Sequence, residues 1–418
     1  PPGGTAEGLS TALTRTGARL VVGAIGGHDE VVADLGAVSA AVAEDGTLAA
    51  IGELAPPPAP SRRPPGLDRA HFVTFTSGST GTPKAVVHTA DTMAYSARHS
   101  VERTGAGAGA VLGLVALSHA AGLAFSVFAA LPQGRDLVLY DGRWAPGRAL
   151  DMVDGHGVAW TLSVPTHLSD MVTAAEERDW SPGPGGLTFA CGGASVSPDL
   201  VRSAAARGIA VCRMYGLSEC LGHTATHRDE PVEVRAAHDG TVFPGSEVVT
   251  LDADGTVLPP GSPGQGASTG PALFLGYLED ETDHEALTAE GHLPTGDLME
   301  VDEDGRVAVV GRVKDIIIRG GENVDPGQVE ADVVGHPAVR RAAAVGYPDP
   351  RLGERICVWV ETDDGALDRD GLATFLLGRG VPKLRIPDMV RVLERLPVSA
   401  VGKIDKRALR KTIEEVQQ

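Results

Sequence analysis

The stretch from Thr74 to Lys84, TFTSGSTGTPK, has the composition of an anion-binding loop. Glycines at 78 and 81 allow the backbone to turn its N–H groups inward, and the neighbouring hydroxyls add donors. The expected ligand is a polyphosphate. The loop is not a Walker A motif, because Gly78 lies six residues before Lys84 and Ala85 follows the lysine. A flexible Ser/Gly linker is the alternative, but apolar segments flank the stretch on both sides.

Two later segments place polar residues after short apolar runs. FACGGASVS carries Gly192 and Gly193, which allow close approach of a flat ligand. MYGLSE carries Tyr215, whose ring offers a face for a base, and Glu219, a hard carboxylate suited to Mg²⁺. Taken alone, each has a simpler interpretation, because most GG turns are only turns and most strand-end glutamates are solvated.

The composition excludes several classes of partner. The 418 residues suggest two or three domains, and 36 basic against 55 acidic residues give a net charge of −19. We therefore expect neither a nucleic-acid partner nor adhesion to an anionic membrane, and any bound ATP would need local cations and a metal ion. The four cysteines lack zinc-binding spacing, so we expect buried, reduced thiols in a cytoplasmic protein.

One segment is long enough to span a bilayer but is not patterned for it. Residues 104–134 contain no Asp, Glu, Lys or Arg, yet they are broken by GAGAGA, His119 and Pro132. We predict a buried strand over Val111–Ala116, a loop carrying His119 and a buried helix over Leu123–Leu131, and no membrane span. The N-terminus shows no basic region before a long apolar run, so no signal peptide is expected.

The elements that position these residues alternate between strand and helix. The first seventy residues predict a helix over Ala6–Thr16, a strand over Arg19–Ile25, a helix over Asp29–Ala43 and a Pro-rich connector. Further strands are predicted at 72–76, 111–116, 137–140, 159–164, 187–190 and 210–214. This alternation is typical of an α/β sheet with mostly parallel strands, in which ligands bind beyond the carboxyl ends.

From residue 240 onward the pattern predicts β-hairpins and then a small α+β unit. VVTLDADGTVL and MEVDEDGRVAVV each place an Asp-x-Asp-Gly turn between alternating apolar residues. Neither is an EF-hand, because Pro263 and Val313 occupy the twelfth positions. Between them Asp297 follows a Thr-Gly turn, where it can accept two hydrogen bonds from a ribose diol or simply serve the turn. The α+β unit begins near Arg312–Asp315 and ends with a loop carrying Lys403 and a charged helix.

The order of eight segments resembles the motifs of the adenylate-forming superfamily, which includes acyl- and aryl-CoA synthetases, peptide-synthetase adenylation domains and firefly luciferase. The segments are TSGSTGTPK, LSHAAGL, GGASVSPDL, MYGLSE, GPALFLGYL, LPTGDL, GRVKDIIIRGGENV and GKIDKRALR. The resemblance extends from about Phe72 to Leu409. It implies an α/β fold with a large N-terminal domain over 1–312, which combines mixed and parallel sheets with a hairpin-rich part. It also implies a small mobile α+β C-terminal domain over 313–418.

The resemblance implies a reaction in two halves. A carboxylate attacks the α-phosphate of ATP, with Mg²⁺ as cofactor, to give an acyl-adenylate and pyrophosphate. A thiol, usually that of coenzyme A, then displaces AMP to give a thioester. The first half brings two anions together, so cations and N–H groups must neutralise the developing charge.

The resemblance also assigns roles to residues of this sequence. Lys403, Ser218, Glu219 and Lys84 would be catalytic, with Lys403 bridging the substrate carboxylate and the α-phosphate, Ser218 contacting that phosphate, and Glu219 binding the metal. The remaining sets are Thr76, Ser77, Gly78, Ser79, Thr80, Gly81 and Lys84 for the phosphates; Gly192, Gly193, Ala194, Tyr215, Gly216, Asp297 and Arg312 for adenine and ribose; and His119, Gly122 and Gly193 for the acyl pocket. Lys314 would be the hinge, and Gly320, Gly321 and Glu322 would face the incoming thiol.

Several alternatives stay open at this point. LSHAAGL resembles the CoA-ligase version of its motif, and no acidic anchor for an amino-acid ammonium is present there. The acceptor would then be coenzyme A, but an acyl carrier protein thiol or another nucleophile is the alternative. A third hypothesis is an inactive nucleotide-binding homologue, which the retained chemical residues argue against. For His119 the alternatives are a place facing the acyl pocket and a structural role. The short N-terminal region is that of a compact member or lacks a piece. The protein is expected to be either a monomer or a homodimer.

Overall fold

The chain is described here from a computed structural model, which covers residues 20–22, 38–42, 48–51, 71–75, 84–278, 287–313, 315–362, 367–398 and 404–417. The strands are β1 (Leu20–Val22), β2 (Val38–Val42), β3 (Leu48–Ile51), β4 (His71–Phe75), β5 (Ala85–Thr89), β6 (Ala110–Gly113), β7 (Leu137–Leu139), β8 (Val158–Ser163), β9 (Leu187–Cys191), β10 (Ile209–Leu217), β11 (Leu221–Ala225), β12 (Thr241–Val242), β13 (Glu247–Leu251), β14 (Gly264–Thr269), β15 (Gly276–Tyr277), β16 (Leu293–Val301), β17 (Val307–Arg312), β18 (Ile317–Arg319), β19 (Glu322–Val324), β20 (Val339–Asp349), β21 (Gly353–Thr362) and β22 (Met389–Leu393). The helices are α1 (Ala90–Arg103), α2 (Ala120–Gly122), α3 (Pro146–Gly155), α4 (Pro165–Glu177), α5 (Pro198–Ala206), α6 (Val232–Ala237), α7 (Pro326–Val334), α8 (Arg369–Gly378) and α9 (Lys406–Gln417), together with a π-helix (Leu123–Phe128) and 3₁₀ turns (Leu131–Gln133 and Lys383–Arg385).

A seven-stranded sheet forms the largest layer, in the order β12-β11-β10-β9-β8-β6-β7. Five neighbouring strands, from β10 to β7, pair in parallel, while β11 and β12 add antiparallel pairs at one edge. The predicted, largely parallel α/β sheet is confirmed. Its carboxyl ends carry Ser163, Cys191 and the extended end of β10 at Leu217.

Helices cover both faces of this sheet because its strands alternate two apolar faces. Leu112, Phe189 and Val211 belong to one buried cluster, with side chains of α3, α4 and α5. Their neighbours Val111 and Ala190 belong to a second cluster, with α1 and the π-helix. Adjacent residues of a strand point to opposite faces, so a sheet buried on both sides must be apolar at nearly every position.

Smaller sheets follow the hairpin pattern. In the four-stranded sheet β13-β14-β16-β17, β16 and β17 form the second predicted Asp-Gly hairpin. The first is present only as a turn with one bridge, between Leu251 and Val257, because β13 pairs instead with β14, which begins at Gly264. The three-stranded sheet β15-β5-β4 contains the strands before and after the Gly/hydroxyl loop. After residue 315, β18 to β22 form a five-stranded sheet with its own buried cluster, against which α7 and α8 pack. The predicted small α+β unit is thus confirmed as a fold, with β1-β2-β3 as a further short sheet near the N-terminus.

Two local predictions need correction. The helix expected over Asp29–Ala43 is wrong at Val38–Val42, which is strand β2 and pairs with both β1 and β3. The sequence VSAAV fits either element, and the ladders on its two sides decide. The helix over Leu123–Leu131 begins in π geometry and ends as a 3₁₀ turn. The helix predicted at Ala6–Thr16 lies outside the described residues.

A buried ion pair joins the large sheet to the hairpin sheet. Arg213 on β10 donates to Asp239 Oδ1 at 2.9 Å and to the Ala236 carbonyl at 2.7 Å. Asp239 Oδ2 accepts the Val309 N–H at 2.9 Å, and the Asp239 N–H donates to the Val307 carbonyl. Strand β17 is therefore held against β10 by a buried ion pair, in which each charge compensates the other.

None of the helices in the ranges given above is long and apolar enough to cross a membrane. Residues 104–134 contain β6, α2 and the π-helix, so the predicted order of strand, loop and helix is confirmed, although the strand ends at Gly113 and not at Ala116. All four cysteines are free and buried, as predicted.

A glycine pair tests the junction between the sheets. Gly240 has φ +95°, and a Cβ there would lie 1.9 Å from the Ala225 carbonyl carbon, whereas Gly255 has φ +82° and open space. We expect Gly240→Ala to lower the free energy of unfolding by about 4 kcal/mol or more, from overpacking added to strain. Gly255→Ala carries only the left-handed backbone cost of about 1–2 kcal/mol. Urea unfolding of both variants measures the difference, and equal losses would contradict it.

A buried histidine predicts a pH-dependent stability. Burial lowers the pKa of His223 to about 4, although its ring contacts the Leu221 carbonyl and Ser268. Between its ordinary pKa and pH 4 the unfolded chain binds a proton that the folded chain does not, so stability falls as the pH falls. From pH 7 to pH 5 this contributes a loss of about 2 kcal/mol.

The check is the free energy of unfolding of the parent and of His223→Gln at both pH values. The variant keeps a hydrogen-bonding side chain but cannot titrate, so its pH dependence should be smaller by that amount. Parallel pH profiles would show that His223 is not responsible.

Candidate active site

Tyr215, Asp297 and Arg312 form one hydrogen-bonded chain where the two sheets meet. The Tyr215 hydroxyl donates to Asp297 Oδ2 at 2.6 Å, and Arg312 Nε donates to Asp297 Oδ1 at 2.9 Å. Asp297 on β16 and Arg312 on β17 are direct cross-strand partners, so the sheet register itself places the arginine beside the carboxylate. The sequence-predicted adenine and ribose residues on these three strands therefore do come together.

The surroundings of Tyr215 keep its hydroxyl protonated. Burial, followed by the nearby charge of Asp297, raises the pKa of Tyr215 well above its usual range, so its hydroxyl is a donor. Asp297 is buried, whereas the Arg312 side chain is 62% exposed. A carboxylate offers about four acceptor positions, and the two protein donors occupy two of them. The remaining positions suit the hydroxyls of a diol.

The tyrosine ring is less open than the sequence suggested. Tyr215 is 8% exposed and packs edge-on against His223, with 5.2 Å between ring centroids. The open surface nearby is the turn after β9, where Gly193 and Ala194 are exposed and Gly193 has φ +77°. A Cβ on Gly192 would lie 2.5 Å from the Met214 carbonyl oxygen, and one on Gly216 would lie 2.0 Å from the Leu221 oxygen. Any side chain at either position would collide with the neighbouring backbone, so both positions require glycine.

A second group forms where β5 meets the end of β10. The Tyr277 hydroxyl donates to Glu219 Oε1 at 2.9 Å, and the Lys84 ammonium lies 4.3 Å from the centroid of the Tyr277 ring. Lys84 ends the Gly/hydroxyl loop, so one tyrosine contacts both the proposed phosphate-side cation and the proposed metal-side carboxylate. Sequence reasoning missed Tyr277, although it lies in the motif GPALFLGYL.

A buried histidine braces the same region from behind. His88 on β5 is fully buried, and its Nε2 lies 2.7 Å from the Ser218 carbonyl oxygen. A carbonyl only accepts, so Nε2 carries the proton, and Nδ1 lies 3.1 Å from Thr92 Oγ1. Burial lowers the pKa of His88, despite the opposing bond to Ser218. His88 was also missed; its position four residues after Lys84 is the only sequence signal.

Two of the three residues proposed for the acyl pocket, His119 and Gly122, lie at α2, whereas Gly193 lies in the turn after β9. His119 immediately precedes this helix and is partly buried. A Cβ on Gly122 would lie 2.0 Å from the Ala116 carbonyl oxygen, so this glycine makes room for the chain itself. His167 was not singled out, yet it accepts or donates a 2.7 Å hydrogen bond with Ser163 at the end of β8 and stacks on Trp144.

The hairpin proposed to face a thiol is well defined. Gly320 and Gly321 have φ +65° and +86° between paired Arg319 and Glu322, which is the turn that two consecutive positive-φ residues permit. Both glycines and Glu322 are exposed. The remaining predicted residues, namely Thr76, Ser77, Gly78, Ser79, Thr80, Gly81, Lys314 and Lys403, lie outside the described residues.

The donor set fits a magnesium ion that arrives with its substrate. Among the residues that the structure describes, no three His, Cys, Asp or Glu side chains gather into a metal cluster. Glu219 is a single carboxylate, and Tyr277 occupies one position on its Oε1. Mg²⁺ is commonly held by one or two carboxylates together with substrate phosphates, so this arrangement suits it.

Comparison with known proteins accounts for both halves of the chain. The model of AMP-binding enzymes matches residues 1–278, and that of the AMP-binding enzyme C-terminal domain matches residues 328–403. A medium-chain fatty-acid–CoA ligase from Escherichia coli (strain K12) is 33% identical over 354 residues, which are 83% of this chain and 62% of that protein. A 2,3-dihydroxybenzoate–AMP ligase from Bacillus subtilis (strain 168) is 34% identical over 352 residues, which are 82% of this chain and 64% of that protein.

The fold agrees with this relationship. The crystal structure of ATP-bound MatB from Rhodopseudomonas palustris aligns with a TM-score of 0.80 and 25% identity, over 99% of this chain and 83% of that one. The chain spans somewhat less than two thirds of the length of the two curated relatives. The order of the motifs, the two matched models and the shared architecture together show that the chain belongs to the AMP-binding enzyme family, within the adenylate-forming superfamily.

Proposed function

We propose that this protein activates a carboxylic acid with ATP and transfers the acyl group to the thiol of coenzyme A. In the first half-reaction a carboxylate oxygen attacks the α-phosphorus, the bond to the bridging oxygen of the β-phosphate breaks, and pyrophosphate leaves. In the second, the thiol sulfur attacks the acyl carbon and loses its proton, the acyl C–O bond of the mixed anhydride breaks, and AMP leaves with that electron pair.

The observation that carries this proposal is the contact of Lys84 and Glu219 with one side chain, Tyr277. The lysine ends a loop whose sequence predicts phosphate binding, and the carboxylate is of the kind that can hold a magnesium ion. Such an ion supplies positive charge that stabilises the developing charge on the phosphates. Lys84 adds a fixed cation, and Ser218 places a hydroxyl next to Glu219 in the chain, within reach of the α-phosphate in our proposal.

The nucleotide would lie across the strand ends. Asp297 and Arg312 would hold the ribose hydroxyls, and Tyr215 with the 192–194 turn and Gly216 would border adenine. Tyr215 keeps Asp297 oriented through its 2.6 Å bond, so the carboxylate meets the ribose without rearranging.

Lys403 would supply the charge between the carboxylate and the α-phosphate. The residues that follow it are anchored: Ile404 bridges Val398, and the Lys406 ammonium lies 2.8 Å from the partly buried Glu330 carboxylate. We propose a division at residues 1–312 and 313–418, with Lys314 as the hinge. Rotation there would withdraw Lys403 and present Gly320, Gly321 and Glu322 to the thiol.

The first test is exchange of labelled pyrophosphate into ATP across fatty, aromatic and polycyclic acids. We expect acid-dependent exchange that Lys403→Ala lowers by at least about a hundredfold, because the lysine neutralises charge where the new bond forms. Lys411→Ala removes an exposed lysine of the C-terminal helix and should leave the rate unchanged. If the Lys403 variant exchanged as fast as the parent, the mechanism would be wrong.

The acceptor is the second open choice. One relative is named for ligation to CoA and another for ligation to AMP, which favours keeping a carrier-protein thiol or another nucleophile as the alternative acceptor. We expect thioester with coenzyme A when the best acid from the exchange panel is supplied, measured by mass spectrometry. Adenylate without this thioester would favour the alternative, and no exchange with any acid would favour an inactive homologue.

The ribose assignment gives its own prediction. Asp297→Asn keeps the shape but loses the charge that pairs with Arg312, so the KM for ATP in the exchange reaction should rise about ten- to a hundredfold, the range of a charged hydrogen bond. Asp302→Asn, in the turn between β16 and β17, is the matched control and should keep the parent KM. Equal KM values for Asp297→Asn and the parent would remove Asp297 from the nucleotide site.

A further inference from the structure

Tyr277 is held in place by the strand that follows Lys84. Strand β15 pairs with β5, so that Tyr277 lies opposite Val86 and Gly276 lies opposite Val87. The Leu278 N–H donates to the Ala85 carbonyl at 2.8 Å. The register of two paired strands fixes which side chains are neighbours. The pairing of β15 with β5 therefore brings the Tyr277 ring next to Lys84, the residue immediately before β5.

Residues 274–277 also hold Glu219 in place. The Phe274 N–H donates to the Glu219 carbonyl oxygen at 2.7 Å, and the Tyr277 hydroxyl donates to the Glu219 carboxylate. Phe274 and Tyr277 pack edge-on, with 5.0 Å between centroids, in a buried cluster with Val86 and Leu293. Both the backbone and the side chain of Glu219 are thus tied to residues 274–277.

We propose that Tyr277 is a positioning residue that sets the phosphate-side cation Lys84 and the metal-side carboxylate Glu219 in a fixed relation. This inference rests on the function proposed above. Its hydroxyl orients Glu219 so that the other carboxylate positions face a bound ion, and its ring face supports the Lys84 ammonium. Tyr277 acts through these two groups and does not itself touch the reacting atoms.

The two contacts belong to different parts of one side chain, so two variants separate them. Tyr277→Phe removes the hydroxyl and keeps the ring, whereas Tyr277→Leu removes both. Tyr95→Phe is the matched control, since the Tyr95 hydroxyl donates to the Pro244 carbonyl at 2.7 Å and contacts none of the proposed site residues in that bond. Circular dichroism and thermal melting of all three variants report on folding.

The measurement is ATP affinity by titration calorimetry, in Mg²⁺ and separately in EDTA. For Tyr277→Phe we expect the gain in affinity that Mg²⁺ gives to shrink by about tenfold, as for a lost bond to a charged group, with the affinity in EDTA unchanged. For Tyr277→Leu we expect, in addition, a loss of about two- to fivefold in EDTA, because the ring no longer supports the lysine. Tyr95→Phe should match the parent in both buffers.

A purely structural role would weaken ATP binding equally in both buffers. Such a result for Tyr277→Phe, or full retention of the Mg²⁺ gain, would overturn the inference, and this variant decides even where Tyr277→Leu fails to fold. Acid-dependent pyrophosphate exchange by the parent tests the proposed function separately. Exchange by the parent together with an unaltered Tyr277→Phe would remove only this inference, whereas a parent that binds no ATP would remove both.

Discussion

The ion pair between Arg213 and Asp239 is the interaction on which the candidate site depends. Its side chains are only 9% and 10% exposed, and the aspartate also accepts the Val309 N–H. Removing one partner of such a pair leaves an uncompensated buried charge at a cost of about 3–5 kcal/mol. The pair fixes β17 against β10, and two residues after Arg213 the same strand brings Tyr215 to Asp297. The arrangement of the residues that we propose to bind ribose therefore depends on the contact between the large sheet and the hairpin sheet.

The charge distribution sets a second constraint. The −19 net charge resides entirely in residues 1–312, which hold 19 basic and 38 acidic residues, whereas residues 313–418 hold 17 of each. A polyanion such as ATP must therefore be held by a few fixed cations close to its phosphates, where Coulomb attraction outweighs the screened distant field. Lys84, just before β5, and Arg312, at the end of β17, are the cations we propose for this role. Coenzyme A, also polyanionic, would meet least repulsion from the neutral C-terminal part.

The sequence predicted elements well where one local pattern sufficed. The parallel strands of the large sheet, the hairpin of β16 and β17 and the α+β unit agree with apolar periodicity and turn residues. Val38–Val42 was misassigned because small apolar residues suit both helix and strand, and only pairing with β1 and β3 decides. The π-helix was not predictable, since nothing in LAFSVF distinguishes it from α-helix.

The residues of the candidate site also differ in whether the sequence predicts them. Asp297, Glu219 and Lys84 stand out because each follows a turn or strand in a motif, whereas His88 and Tyr277 act across 130 and 58 residues of sequence. Long-range contacts of this kind depend on sheet order, which composition and spacing do not encode.

Tyr215 shows how the structure changes a chemical interpretation that the sequence suggested. A tyrosine at a strand end was expected to offer its ring face to a base, but its hydroxyl is bonded to Asp297 and its ring packs against His223. Burial and the carboxylate both raise its pKa, so it remains a neutral donor. Its firmest contribution is thus to orient a carboxylate, and adenine would reach the ring only from the side of the exposed Gly193–Ala194 turn. The same residue type serves the same purpose at Tyr277, where a buried phenol hydroxyl again holds a carboxylate beside a cation. In both places an uncharged tyrosine hydroxyl orients a carboxylate through a hydrogen bond without adding charge to the site.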